Sequence, residues 1–146
     1  ATGATGATGE ANNTPFAYIN STTDQTIAHN GFVEWQNNVI SQPPGGIVIN
    51  PGDNTDITIP VAGFYLIHAF TNYNGSGSFI LELNGAEVPS TLYQQNDGTT
   101  MTLILNISVV PAHLRLKNKG VMNTITSDTI DGVNSVSAGI TIFKIG

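Results

Sequence analysis

The sequence contains no cysteine, which removes disulfides, thiolate metal sites and cysteine nucleophiles together. Cohesion must then come from packing, alone or together with association between chains. Charge is scarce as well: 10% of residues are Asp, Glu, Lys or Arg, against about 25% in an average soluble domain. Asn, Thr, Ser and Gln supply the polarity instead, which suits a secreted or displayed protein better than a cytosolic enzyme. Lys and Arg number only four and the formal net charge is -6, so the basic field that nucleic acid requires is missing and an anionic membrane is disfavoured. No apolar run approaches the roughly 18 residues of a membrane span, and insertion into a membrane is not expected. The start also lacks the basic-then-apolar order of a signal peptide, so the N-terminus reads as a cut through a longer protein.

No stretch repeats apolar residues at helical spacing; Val, Ile, Thr, Phe and Tyr recur instead, with Gly and Pro spread along the 146 residues. That length accommodates one domain with a real core. From Pro15 onward, about ten short apolar or alternating runs are separated by turn signals, the pattern of a sandwich or barrel. The runs are Phe16 to Ile19, Phe32 to Trp35, Ile47 to Ile49, Ile57 to Pro60, Phe64 to Tyr73, Phe79 to Leu83, Val88 to Tyr93, Met101 to Val110, Leu114 to Lys117 and Val136 to Ile145. Between them lie Pro43-Pro44-Gly45-Gly46, Asn50-Pro51-Gly52-Asp53 and Asp97-Gly98, while Asn74-Gly75 and Asn84-Gly85 have the form of hairpin turns. The expected class is all-β.

Residues 1 to 10 read ATGATGATGE, placing Gly3, Gly6 and Gly9 at intervals of three, the period a collagen triple helix needs because only Gly fits at its axis. Two readings stand: a flexible Gly/Ala/Thr linker, or the end of a collagen-like stalk over residues 1–11, followed by a globular domain over 12–146. Pro is absent from these triplets, so a stalk would depend on length or on modification of Thr2, Thr5 and Thr8.

The long run at Phe64 to Tyr73 is apolar on both faces: Phe64, Leu66, His68 and Phe70 on one, Tyr65, Ile67, Ala69 and Thr71 on the other. Either the strand is central within two layers, or a second subunit covers its other side. Gly63-Phe64-Tyr65-Leu66-Ile67, after the lead-in Pro60-Val61-Ala62, resembles the G-x-Y-x-apolar strand of the complement C1q/tumour-necrosis-factor family. Leu81-Glu82-Leu83-Asn84-Gly85, Leu114-Arg115-Leu116 and Ser137-Ala138-Gly139-Ile140 follow in that family's order. The likeness spans about residues 15 to 146 and is nearest to the collagen-like glycoproteins of the Bacillus exosporium.

That resemblance implies a ten-strand jelly-roll β-sandwich that assembles as a homotrimer. It places Leu66, His68, Thr141, Phe143 and Ile145 towards the threefold axis, with Tyr65, Ile67, Ile140 and Ile142 pointing into the subunit core. The last strand departs from the animal members, with Ser137 and Ala138 where bulky residues are usual. The function implied is structural: a C-terminal head that nucleates and caps a collagen-like filament on an extracellular surface, expected to be the exosporium of a bacterial spore. Two alternatives remain, a trimeric recognition head for a host glycan or protein, and the tip of a phage or surface fibre.

Site chemistry is sparse. His29, His68 and His113 lack the spacing of transition-metal ligands, and no Gly-x-Ser-x-Gly elbow or Ser, His and Asp set stands out, so no enzyme and no cofactor is expected. If His68 lies on a threefold axis, three imidazoles meet, allowing a shared anion, a water or pH-sensitive assembly, beside a plain hydrogen-bonded role. Asp53 with Asp56, or Asp128 with Asp131, offers oxygens that calcium could use, but two acids three residues apart are weak evidence and solvated loop charge is the better reading. His113, Arg115, Lys117 and Lys119 alternate with Leu114 and Leu116 along one strand face. That row is either an anion-binding patch, or an edge guarded by charge or paired with acids on a neighbouring strand.

Overall fold

The computed structural model describes residue 3 and residues 14–43 and 46–146. Among the described residues fifteen strands follow one another: β1 (Phe16–Ser21), β2 (Gln25–Ile27), β3 (Asn37–Gln42), β4 (Val48–Asn50), β5 (Asp53–Ile59), β6 (Gly63–Thr71), β7 (Ser76–Leu83), β8 (Ala86–Glu87), β9 (Tyr93–Asn96), β10 (Thr99–Ile107), β11 (Ala112–Asn118), β12 (Asn123–Ile125), β13 (Thr129–Ile130), β14 (Val133–Asn134) and β15 (Ala138–Lys144). The one helical element among the described residues is a 3-10 turn, Pro89–Thr91.

Two antiparallel sheets face each other. One has the order β10-β6-β15-β1-β3, the other β4-β5-β11-β7-β8, with β9 also paired to β7. β8 pairs the end of β7 through Glu82 and Leu83, and β9 pairs its start through Ser76 to Phe79. They therefore form one edge strand interrupted by the 3-10 turn, and counted that way the sandwich has ten strands, five in each sheet. The all-β jelly-roll expectation holds. Two short ribbons, β2 with β12 and β13 with β14, lie outside the main sheets.

Period-two alternation builds the core. β6 turns Tyr65, Ile67 and Ala69 inward, β15 contributes Ala138, Ile140 and Ile142, and β1 contributes Ala17 and Ile19. From the opposite sheet come Ile57, Ile59, Phe79, Leu81, Ala112, Leu114 and Leu116, all buried. The inward placement that the resemblance implied for Tyr65, Ile67, Ile140 and Ile142 is what the structure has. Burying the Tyr65 ring raises its phenol pKa, and the hydroxyl donates to the Val61 carbonyl at 2.7 Å.

Three local expectations are corrected. Phe32 to Trp35 is not a strand of either sheet: Phe32 makes an isolated bridge to Lys117, while Val33 and Trp35 enter the core from an extended segment held by amides bonded to Leu116 and Asn54. Val88 to Tyr93 is mostly the 3-10 turn rather than a strand. Asn84-Gly85 does make a hairpin turn, at φ of 51° and 80°, joining β7 to β8, but Asn74-Gly75 carries the chain from one sheet to the other. Its neighbour in space is the Asp97-Gly98 corner, which crosses back; the Gly75 amide donates to Asp97 Oδ1 at 2.9 Å and the Asp97 amide to the Gly75 carbonyl at 2.7 Å. Of the glycine-triplet leader only Gly3 falls among the described residues, and the Pro44-Gly45 part of the following turn signal lies outside them.

Candidate functional site

The outward face of the β10-β6-β15-β1-β3 sheet is built by the second half of each alternation. Strand register places Ile104, Leu66, Phe143 and Phe16 in one row across β10, β6, β15 and β1. The adjacent row is Thr102, His68, Thr141, Tyr18 and Ile40, reaching β3. Ile104 is 62% exposed, Phe64 51%, Phe143 43% and Leu66 40%, so large apolar side chains stand in the open side by side. Phe16 and Phe143 rings lie 6.2 Å apart, tilted, within the contact range of aromatic pairs. Scattered exposed apolar residues are ordinary; here they form a contiguous set spanning four strands.

Four of the residues expected near a threefold axis share this face: Leu66 pairs with Phe143, and His68 with Thr141, across β6 and β15. Ile145 lies just past β15, exposed, its amide donating to the Phe64 carbonyl at 2.8 Å. His68 Nδ1 is hydrogen-bonded to Thr102 Oγ1 at 2.8 Å, and its ring sits 6.5 Å from that of Phe70. Sequence reading did not find Ile104, Phe16, Tyr18 or Ile40 as parts of the surface. Ile104, Phe16 and Tyr18 sit in recognised apolar runs while Ile40 sits in a polar stretch, and only strand order shows that these segments are neighbours.

The second candidate, the basic row on β11, meets a different environment. β11 is an interior strand, flanked by β5 and β7, and every base of the row finds an acid, on β5, on β7 or on β8 beyond it. His113 Nδ1 lies 2.7 Å from Asp56 Oδ2, and Arg115 Nη2 donates to Asp53 Oδ2 at 2.7 Å. Lys117 reaches both the largely buried Glu82 and, at 3.3 Å, Glu87; Lys119 reaches Glu87 at 2.9 Å. Phe32 lies over the row, 5.2 Å from the Arg115 guanidinium and 5.3 Å from the Lys117 ammonium. The row is thus neither an edge nor unopposed charge: four carboxylates answer three permanent cations and one histidine.

Titration follows those contacts. The Asp53 carboxyl is held below its ordinary value by the Thr55 hydroxyl and amide and by Arg115, and Glu87 is lowered by Lys119 and Lys117. Lys117 is raised, chiefly by its hydrogen bond to Glu82. Asp53 and Asp56, considered as calcium ligands, direct oxygens to Thr55 and Arg115 and to Asn50 and His113 respectively. Asp131 sits at the tip of the β13–β14 hairpin at φ 51°, while the Asp128 amide and carbonyl are tied to Ser135 at the ribbon's base. Among the described residues no group of three or more His, Asp or Glu side chains is arranged to hold a metal ion. His29 is tied to the Gly120 carbonyl at 2.8 Å.

No family model and no curated protein sequence matches the chain. Solved structures do. The PRD1 vertex protein P5 is similar at a TM-score of 0.61 and 16% identity, over 93% of this chain and 100% of that one. The globular domain of zebrafish complement 1qA protein is similar at 0.63 and 10% identity, over 90% and 98%. Eiger TNF from S. frugiperda is similar at 0.59 and 13% identity, over 91% and 93%. At such identities the likeness speaks for architecture alone, and it covers nearly the whole of each chain. The chain has a jelly-roll sandwich fold like that of these C1q and TNF structures.

Proposed function

We propose that this domain is a non-enzymatic trimerising head, which joins three copies through the outward face of the β10-β6-β15-β1-β3 sheet and caps a collagen-like filament on a spore or cell surface. The observation that carries the reading is the continuous apolar surface formed by Ile104, Leu66, Phe143, Phe16 and Tyr18, which a lone subunit would leave in water. Covering it stabilises association by about 25 cal/mol for each Å² of apolar area removed from water. Holding three chains together at one end then makes triple-helix nucleation an intramolecular event, and the Gly3, Gly6 and Gly9 triplets supply the register in which it would start.

Sedimentation velocity at micromolar concentration tests this. The expected species has three times the 15.3 kDa mass of the chain, and Leu66→Asp or Phe143→Asp converts it to a folded single subunit. A wild-type protein that sediments as one subunit overturns the proposal. The filament part is tested separately by the full-length gene, which should encode many further Gly-x-Thr triplets upstream.

A second reading, the tip of a phage or surface fibre, draws support from the similarity to a vertex protein. It uses the same trimer and differs in what precedes the domain. An anion-recognising head has weaker support, because Arg115, Lys117 and Lys119 are already engaged by Asp53, Glu82 and Glu87. Binding to an anionic glycan array that disappears when these three bases become Gln would restore it.

A further inference from the structure

The outward face of β10, β6, β15 and β1 holds one side chain whose charge ordinarily changes between about pH 5 and pH 8, and that is His68. From β10 it is faced by Thr100, Thr102 and Ile104, and from β15 by Gly139, Thr141 and Phe143. Its neighbours along β6 are Leu66 and Phe70, and beyond Thr141 stands Tyr18 of β1. None of these is charged at neutral pH, and the Tyr18 phenol is the one other titratable group among them. Lys144 alternates to the other side of β15, opposite the buried Tyr65. The acids of the molecule's charged ladder belong to the opposite sheet.

A neutral imidazole fits this setting, because the Thr102 hydroxyl answers one ring nitrogen and the rest of the ring rests against Phe70. An imidazolium does not fit once the face is covered. It would be a buried charge with no carboxylate beside it, far more costly than a neutral group that keeps a hydrogen bond. Threefold symmetry compounds the effect by repeating the same positive charge three times around one axis.

We propose that His68 makes assembly pH-dependent, the trimer forming with the imidazole neutral and separating when it is protonated. The inference rests on the reading of this face as the subunit contact. Its sign follows from linkage: the released subunit binds more protons than the assembled one, so association weakens as pH falls. Uptake of one proton per released subunit lowers the trimer association constant by up to about three powers of ten per pH unit as pH is brought from about 7.5 to about 5.

Sedimentation velocity of the wild type, His68→Gln, His68→Leu and His113→Gln at those two pH values, with far-UV circular dichroism on each sample, tests the switch. The wild type and His113→Gln should be trimeric at the higher pH and folded single subunits at the lower, while the two His68 variants stay trimeric at both. A wild type that remains trimeric at low pH overturns the switch and leaves the trimer standing. A wild type already monomeric at high pH overturns the trimer itself. Dissociation of His68→Gln and His68→Leu at low pH would remove His68 as the sensor, and loss of the trimer by both variants at high pH would make it a packing contact rather than a switch. Loss of the β spectrum at low pH would assign the mass change to unfolding and overturn the proposal.

Discussion

Phe70 leans across Gly139: a methyl group added at Gly139 would stand 2.5 Å from Phe70 Cε1 and 3.3 Å from the Tyr18 hydroxyl. The last strand thus contributes an absence, and the ring from β6 fills the space above it. This is why a final strand that begins Ala138-Gly139 still presents a filled outward surface. Gly139→Ala should cost about 1 kcal/mol, near the low end for overpacking because the ring can swing outward. Denaturant unfolding measures it, and Phe70→Ala in the same chain should abolish the added penalty; unchanged additivity of the two substitutions would count against the contact.

Lys117 and Glu82 form the most enclosed pair of the ladder, with side chains 13% and 7% exposed. Lys117→Met leaves the carboxylate with only the longer Arg115 contact at 3.7 Å, and should cost about 3 kcal/mol. Adding Glu82→Leu should recover most of that loss, because removing both charges also removes the desolvation penalty. Thermal melts of the two variants decide the matter, and equal midpoints would show that the unpaired Glu82 charge is not the source of the loss.

Two pH limits of stability follow from the same ladder. Asp53 has a folded pKa below its ordinary carboxylate value, so its contribution is complete above the unfolded value and fades as pH falls through the folded one. Lys117 is raised above the ordinary lysine value, so its contribution is complete below that point and fades as pH climbs through the folded value. In urea titrations Asp53→Asn should flatten the acid limb alone, and Lys117→Met the alkaline limb alone. Parallel curves for variant and wild type on either limb would show the wrong group was chosen.

Gly85 holds φ at 80° beside Asn84 at 51°, the arrangement of a two-residue turn between β7 and β8. Open space surrounds the position, so Gly85→Ala meets no clash and its cost is the backbone conformation, about 1 kcal/mol. Hydrogen exchange should quicken at the amides of the β7–β8 hairpin and leave the β6 amides unchanged. Faster exchange throughout would point to a global effect instead.

Strand content, the alternating core positions of β6, β11 and β15, and the turn at Asn84-Gly85 are all carried by short stretches of chain, because side-chain direction in a strand depends only on local backbone period. β3 escaped notice because Asn37–Gln42 is polar and pairs only with β1 at the sheet's edge. Trp35 pointed to a strand that is not there, since an extended segment can bury its ring without joining a ladder. Asn74-Gly75 and Asn84-Gly85 have the same local chemistry, and whether each folds back or crosses to the other sheet is settled by which strands lie within reach. Likewise, Arg115 and Lys117 announce charge but not its fate; only the placing of β5 and β7 on either side of β11 brings Asp53 and Glu82 to meet them. Local pattern sets what each residue can offer, and long-range pairing, which costs chain entropy and is repaid only by the assembled core, selects the neighbour it is offered to.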